Sequence, residues 1–405
     1  MTNYIAYPFD VLYFRGNKSF DIGEWYSEGI FPPYPSTFQG FVRTCIAKKA
    51  GFIGTDGKII EQKRNVMQSL VGDDTIFPFD LHGPFIVKSG QFFLPVPKDV
   101  LAIKNNSSCE NHKQTIDPFV YQQIELSDKT IKTDLGWLHF PNAKRKLYYA
   151  DNIHNFISLE TLDVYRKHSE YIEFSESPIF TEEHIGIQLE ERKNGVFSKQ
   201  TREGHFYLTP YQRLADDAGL FFSVSDDNCD PQDCYSRLGS ESRGAYVKKT
   251  DMDLQLKMDD DFYNEIVKHA CFKLILLQPG IFRHGWLPFA VEQTNERIIL
   301  SDSNVKLQLL YARTGGRCRI GGVSMRKQTI DDREKRGDGL KPMLNTVPAG
   351  SVYYLKIIEP GKDIESWLKQ LDGNKLTGPE SQNKSYEKYF KMGFNQAIIG
   401  KIHKN

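Results

Sequence analysis

The sequence predicts an α+β protein of two domains, and three observations carry that reading. Its 405 residues, 40% hydrophobic and 26% charged, have a globular composition and exceed what one compact core holds. Runs rich in β-branched and aromatic residues alternate with segments of helical periodicity in both halves. A buried-strand run, FKLILLQPGIF, opens a second set of elements after a capped helix. The domains are therefore placed at 1–265 and 266–405.

Each element has its own local reason. NYIAYPFDVLYF reads as one strand ending near Phe14, followed by a polar loop, RGNKSFDIGEW. Phe38, Phe41, Val42, Cys45 and Ile46 then recur at helical spacing, with Ser36 or Thr37 as cap and Gly51 as stop. A second helix is predicted within Ile59–Leu70, stopped at Gly72. Strands at Phe85–Val87 and Gln91–Pro95 flank Lys88-Ser89-Gly90, a hairpin signal. From 104 to 177 the pattern weakens to loop chemistry with one helix near Leu159–His168, so this stretch reads as an insertion. Strands His184–Leu189 and Gly204–Leu208 are expected to be joined by a long polar connection, 190–203. Leu220–Val224 and Gly244–Lys248 add strands, and Asp259-Asp260-Asp261 caps a helix through His269. The second half continues with strand Lys306–Tyr311, a loop rich in glycine and arginine, and a charged stretch, 326–341. Strand Ser351–Ile358, helix Ile364–Leu371, a polar region and a last strand at Gln396–Ile402 complete it.

Composition excludes several classes. Lys plus Arg and Asp plus Glu both count 52, so nucleic acid or membrane cannot be gripped through bulk charge, although a locally basic groove remains open. No apolar run approaches the roughly 20 residues of a membrane helix, and MTNYIAYPFD lacks a signal-peptide pattern; a cytoplasmic protein is expected. The aromatic fraction, 13%, fits thick cores, interfaces or base-stacking platforms equally. Cys229–Cys234 (CxxxxC) and Cys109–His112 (CxxH) lack the second close pair of a zinc site, so no metal or other cofactor is expected. The chain has no GxxxxGK[ST], GxSxG or HExxH. Gly72-Asp73-Asp74 imitates a polymerase metal turn but stands where a helix should stop. His205 and His284 could be acid–base groups of a ribonuclease or ordinary histidines.

Four constellations carry chemistry. In the first, a helix start at Ser36, Thr37, Gln39 and Gly40 offers free N–H groups and a positive dipole end, with Arg15, Lys18 and Arg43 near it in sequence. The second, YARTGGRCRIGGVSMRK, holds Arg313, Arg317, Arg319, Arg326 and Lys327 without an acid. Its pairs Gly315-Gly316 and Gly321-Gly322 suit nests of N–H groups around phosphates. The third is LGSESRG with Arg243, and the fourth is the connection carrying Lys193, Lys199, Arg202 and His205. A packed helix end and solvated basic loops are the alternatives throughout.

These pieces resemble a known family. Asp10, Leu12, Phe14, Arg15 and Phe20 match a D-x-L-F-F-R-D-x-R-P-F strand and loop, with Gly16-Asn17-Lys18-Ser19 departing from its turn. Phe31, Pro32, Pro33, Pro35, Ser36, Thr37, Gly40 and Arg43 match FPP-x-P-S-T-x-x-G-A-L-R. Leu81–Phe85, Phe93-Leu94-Pro95-Val96-Pro97, Leu238-Gly239 with Glu241, Arg243 and Ala245, Ile320-Gly321-Gly322 and Val347-Pro348-Ala349-Gly350-Ser351-Val352-Tyr353-Tyr354 add to the match. The chain resembles the RAMP-superfamily subunit three of type III-B (Cmr) CRISPR effector complexes. That resemblance implies two ferredoxin-like (RRM-like) RAMP domains with insertions and protruding β-hairpins or loops. It implies a subunit that is not an enzyme, that holds the 5′ tag of the crRNA and that docks the large polymerase/cyclase-like subunit beside a backbone RAMP subunit. Target RNA would be met only indirectly. Arg15, Lys18, Ser36, Thr37, Gln39, Gly40, Arg43, Arg202, Arg243, Arg317, Arg319, Gly321 and Gly322 are the expected RNA-binding residues.

Overall fold

The computed structural model describes residues 1–16, 29–54, 57–72, 77–104, 119–134, 136–141, 148–167, 172–191, 197–226, 228–293, 296–316, 318–324, 327–330, 333–336, 339–376 and 384–402. They fold as mixed α/β structure, mostly antiparallel sheet with few helices. The chain forms two compact units, each assembled from three segments. One is Met1–Gly90, Ser177–Met252 and Gly321–Pro342; the other is Gln91–Glu176, Asp253–Ile320 and Met343–Asn405.

In the first unit, strands lie in the order Tyr235–Arg237, Gly244–Lys249, Thr2–Pro8, Ala218–Val224, Leu81–Lys88. Neighbours are antiparallel, with Tyr4 opposite Phe222 and Tyr7 opposite Tyr246. Alternate side chains point to opposite faces. One face takes the helix Pro35–Lys49, whose Phe38 meets Phe222 edge-on at 5.2 Å while Phe222 stacks on Tyr4 at 5.4 Å. Phe38, Val42 and Cys45 are fully buried, each large apolar side chain contributing about 1.5–3 kcal/mol. From the same unit comes a long hairpin, Ile179–Glu191 against Phe197–Leu214.

The second unit centres on a six-stranded antiparallel sheet in the order Ala290–Gln293, Ile298–Asp302, Val305–Arg313, Val352–Glu359, Cys271–Leu276, Ala397–Lys401. Helices Asp260–His269 and Ile364–Leu371 cover it, burying Phe262, Ile266, Trp367 and Leu368 against Phe272, Leu274, Leu307 and Leu355. Asp259 caps the first helix by accepting from Phe262 N–H at 2.9 Å, as expected from the sequence.

Two charged networks lie inside this unit. Lys273 Nζ donates to Asp99 Oδ2 at 2.8 Å, and Asp99 also accepts from Tyr165 (2.7 Å) and Tyr354 (2.6 Å) hydroxyls. Arg166 Nη2 donates to both oxygens of Asp372 at 2.6 Å, while its Nη1 and Nε donate to Leu256 O and Ile399 O. All four charged groups are buried, and each pair is surrounded by further hydrogen bonds, the condition under which such pairs survive burial.

Several sequence expectations change. The first strand ends at Pro8, because the chain bends at Phe9-Asp10 and Leu12 pairs with Gln212 instead. The helix starts at Pro35, with Tyr34 as cap, so neither Ser36 nor Thr37 caps it. Proline is favoured at the first helical position, where its missing N–H costs nothing. The stretch 104–177 contains strands Phe119–Gln123, Leu126–Thr133, Gly136–Pro141, Tyr148–Tyr149 and Phe156–Ser158 besides the helix Leu159–Arg166. The connection 190–203 is largely strand, because the antiparallel pairing of the two flanking strands runs on through it, as far as Glu191 opposite Phe197. A helix at Lys384–Met392 lies where a polar region was expected. Gly72 does stop its helix, at φ 75°, while Asp73 and Asp74 lie outside the described residues.

Candidate nucleic-acid interface

The first constellation is built around Asp10–Arg15. Leu12 exchanges two backbone hydrogen bonds with Gln212, both 2.8 Å, which ties the segment to the base of the long hairpin. Ser240 N–H donates to Tyr13 O at 2.9 Å, and Ile30 N–H to Phe14 O at 2.8 Å. Gly239 has φ +84°, and a Cβ there would come within 2.9 Å of Tyr13 O. Only glycine permits that approach. The loop Leu238–Gly244, the segment Asp10–Arg15 and the hairpin base therefore form one site.

Its charges are paired internally. Asp10 accepts from Arg243 Nη1 in a close contact and from Arg213 Nη2 at 3.1 Å, and Arg213 forks onto Glu182. The Val11 N–H, joined by the two guanidiniums, holds the Asp10 carboxyl below the usual range. Arg213 does the same for Glu182. Arg243 also stands 5.4 Å over the Tyr211 ring, and burial, reinforced by Glu241, pushes that phenol up to about 12. Arg243 is thus fixed in place rather than presented. Arg15 differs: it is exposed, and among the described residues it has no ion-pair partner.

The helix start is a weaker anion site than expected. Pro35 has no N–H, and the N–H groups of Thr37 and Phe38 already donate to Tyr34 O at 2.9 and 3.0 Å. Thr37 and Gly40 are exposed, and space around Gly40 is open. Ser36 is half-buried, and Gln39 is buried and faces the interior. Arg43 packs its guanidinium 4.7 Å from the Phe77 ring centre. Lys18 lies outside the described residues, and at Arg202 and His205 only the backbone of the hairpin strand is described.

The glycine- and arginine-rich stretch is not one loop. Strand Val305–Arg313 ends in a turn where Gly315 and Gly316 carry φ +65° and +96°, and strand Cys318–Ser324 follows. Gly321 and Gly322 are strand residues, so the nest expected from them is absent; alternation that buries Ile320 is the reason. Arg319 is exposed, while Arg317 and Arg326 lie outside the described residues. Arg313 packs 3.8 Å from the Tyr149 ring centre. Lys98, which the sequence did not single out, lies against Gly315 and pairs with Asp151 at 3.0 Å. Ser351 donates to Thr314 O at 3.0 Å and Gly350 accepts from Lys98 N–H at 2.8 Å, so the VPAGS segment holds this turn.

Other candidates separate. Cys234 hydrogen-bonds Cys45 rather than acting with Cys229, whose thiol points to Leu70 O at 3.5 Å. The Cys45 bond, then nearby Lys48, draws the Cys234 thiol down, while that same bond and burial push Cys45 up. Among the described residues no cluster of three or more His, Cys, Asp or Glu could hold a metal, and no helix is long and apolar enough to cross a membrane. His284 is exposed in a short turn closed by Leu287. Arg213, Glu182 and Tyr211 were missed because their partners are distant in the chain; no local pattern marks them.

The model of the CRISPR-associated protein family Cas_Cmr3 matches residues 4–402. No curated protein matches the chain. Among solved structures, it is similar to a chain of the cryo-EM structure of the type III-B Cmr-beta bound to cognate target RNA and AMPPnP. There the identity is 13%, the coverage 98% of this chain and 95% of that one, and the TM-score 0.44. It is also similar to a chain of the Csm3–Csm4 subcomplex in the type III-A CRISPR-Cas interference complex, at 11% identity, covering 90% and 95%, with a TM-score of 0.33.

Proposed function

This chain belongs to the Cas_Cmr3 family of CRISPR-associated proteins, of type III-B effector complexes, and we propose that it is a subunit without an active site that holds the crRNA 5′ tag. In this reading it bridges the large polymerase/cyclase-like subunit to the backbone RAMP subunits, meets target RNA only indirectly, and works in the cytoplasm. Two ferredoxin-like RAMP domains, 1–265 and 266–405, belong to the same proposal.

The observation that carries it is the convergence of Asp10–Arg15, the Gly239 loop and the hairpin base around an exposed Arg15. Arg15, Thr37, Gly40 and Arg319 are the residues best placed to touch RNA, with Lys18, Arg202 and Arg317 completing the set. Ser36, Arg43, Gly321 and Gly322 would support them. Arg243 and Gln39 act in this reading by fixing the loop and the helix. The bases of a single-stranded tag would be read on loops and guanidinium planes rather than in a groove.

The test is binding of the purified full chain to RNA with and without the repeat-derived tag, with a gel run in parallel for cleavage. Tag-dependent binding that weakens in Arg15→Ala, without cutting, is expected. Cutting, or equal binding of both RNAs, overturns it.

A further inference from the structure

The sheet of the first unit has a second face, opposite helix Pro35–Lys49, and its edge carries exposed aromatic rings. Register puts Tyr7, Tyr246 and Tyr235 side by side across three strands. The next row is Phe9, Gly244 and Arg237, since Phe9 N–H donates to Gly244 O at 3.0 Å and Arg237 pairs with Gly244. Gly244 has no side chain, so the Phe9 ring lies over it; a Cβ there would be 3.0 Å from Phe9 Cδ2. This lets Phe9 reach Tyr235, the two rings stacking at 5.6 Å and 13°. Tyr235 in turn stacks on Tyr246 at 4.5 Å and 28°. The Tyr246 hydroxyl donates to Asp233 at 2.6 Å, which fixes that ring.

Phe9 and Tyr235 are each 61% exposed. Two large rings stacked on each other in solvent are not the scattered apolar residues of an ordinary surface. Arg237 and Lys248, on the same face, are exposed and have no ion-pair partner among the described residues. The geometry points to a stacking platform for unpaired bases of single-stranded RNA, formed by Phe9, Tyr235 and Tyr246, with Arg237 and Lys248 meeting the adjoining phosphates. Open, near-parallel ring planes fit bases of any identity, and flanking cations fit the backbone. An acidic protein surface would use the cations and leave the ring planes idle. The platform rests on the RNA-holding reading above but is a separate surface, with none of the residues assigned there.

The test uses the purified full chain and a roughly eight-nucleotide single-stranded RNA carrying 2-aminopurine. Wild type should bind it and quench the fluorescence on stacking. Phe9→Leu with Tyr235→Leu, which keeps apolar bulk, should lose about tenfold in affinity and the quenching, with the salt dependence unchanged. Tyr235→Phe should bind as wild type. Arg237→Ala should lower the salt slope by about one. If wild type binds neither this RNA nor tagged RNA, the RNA-holding reading itself fails. If wild type binds and the double-leucine variant binds and quenches equally, the platform alone is overturned. A double-leucine variant that keeps RNA affinity but no longer co-purifies with the other effector subunits also overturns it, marking a protein interface.

Discussion

The two units use arginine–carboxylate pairs in opposite ways. In the second, Arg166–Asp372 is buried, and every donor of the guanidinium is met by a carboxylate or a carbonyl. In the first, Asp10, Arg213, Arg243 and Glu182 form a chain of pairs largely open to water. A buried pair that loses one member leaves an uncompensated charge in a poor solvent, whereas an exposed one returns its survivor to water. The first kind of pair fixes a core. The second can only position a loop, and its arginines stay recoverable for another anion.

The largest effect tests the buried side. Arg166→Ala should destabilise the second unit by about 3–5 kcal/mol, read in denaturant unfolding. A loss under about 1 kcal/mol would erase the contrast. Lys273→Met should cost less, because Met keeps most of the buried side-chain length and the donors of Lys273 go to side chains. Arg166→Ala instead empties that space and strips donors from the Leu256 and Ile399 carbonyls as well as from Asp372. Burial draws the Lys273 ammonium below the usual lysine range and pushes Tyr165 and Tyr354 above the usual phenol range. Between the lowered lysine value and about 10 the unfolded chain binds more protons at this site, so stability rises with pH there. Above about 10 the unfolded tyrosines ionise first, and the tyrosine contribution falls. Lys273→Met should remove the rise and keep the fall, visible in urea midpoints taken across alkaline pH.

The exposed side predicts smaller changes of another kind. Asp10→Asn should leave the unfolding midpoint near wild type yet release Arg243, steepening the salt dependence of tag-RNA binding by about one. An unchanged slope would mean Arg243 stays held by Glu241 or Tyr211. Smallest is the acid limb. The stabilisation from the lowered Asp10 carboxyl is present above about pH 4 and is lost as pH falls through its folded value, which an NMR titration of that carboxyl would follow.

Much of the fold was legible because local rules acted alone. Helix Ile364–Leu371 is found within the bounds its periodicity predicts, and Gly51 and Gly72 end their helices with positive φ. The predicted turn at Lys88-Ser89-Gly90 has positive φ at Ser89 and Gly90. What misled was context. Gly321 and Gly322 look like a nest but are absorbed into a strand, and Ser36 looks like a cap but is displaced by Pro35. The candidate site was legible only in part: DVLYFR and LGSESRG were singled out without any sign that they meet, and the hairpin base with Glu182, Tyr211 and Arg213 was not.

By itself the sequence determined the family and many of the element types, because propensity, capping and motif spacing are properties of neighbours in the chain. Tertiary structure alone decided which cations are available. Arg15 and Arg243 read alike in sequence, but Asp10 lies 233 positions from Arg243 and neutralises it, and only folding brings such partners within hydrogen-bond reach.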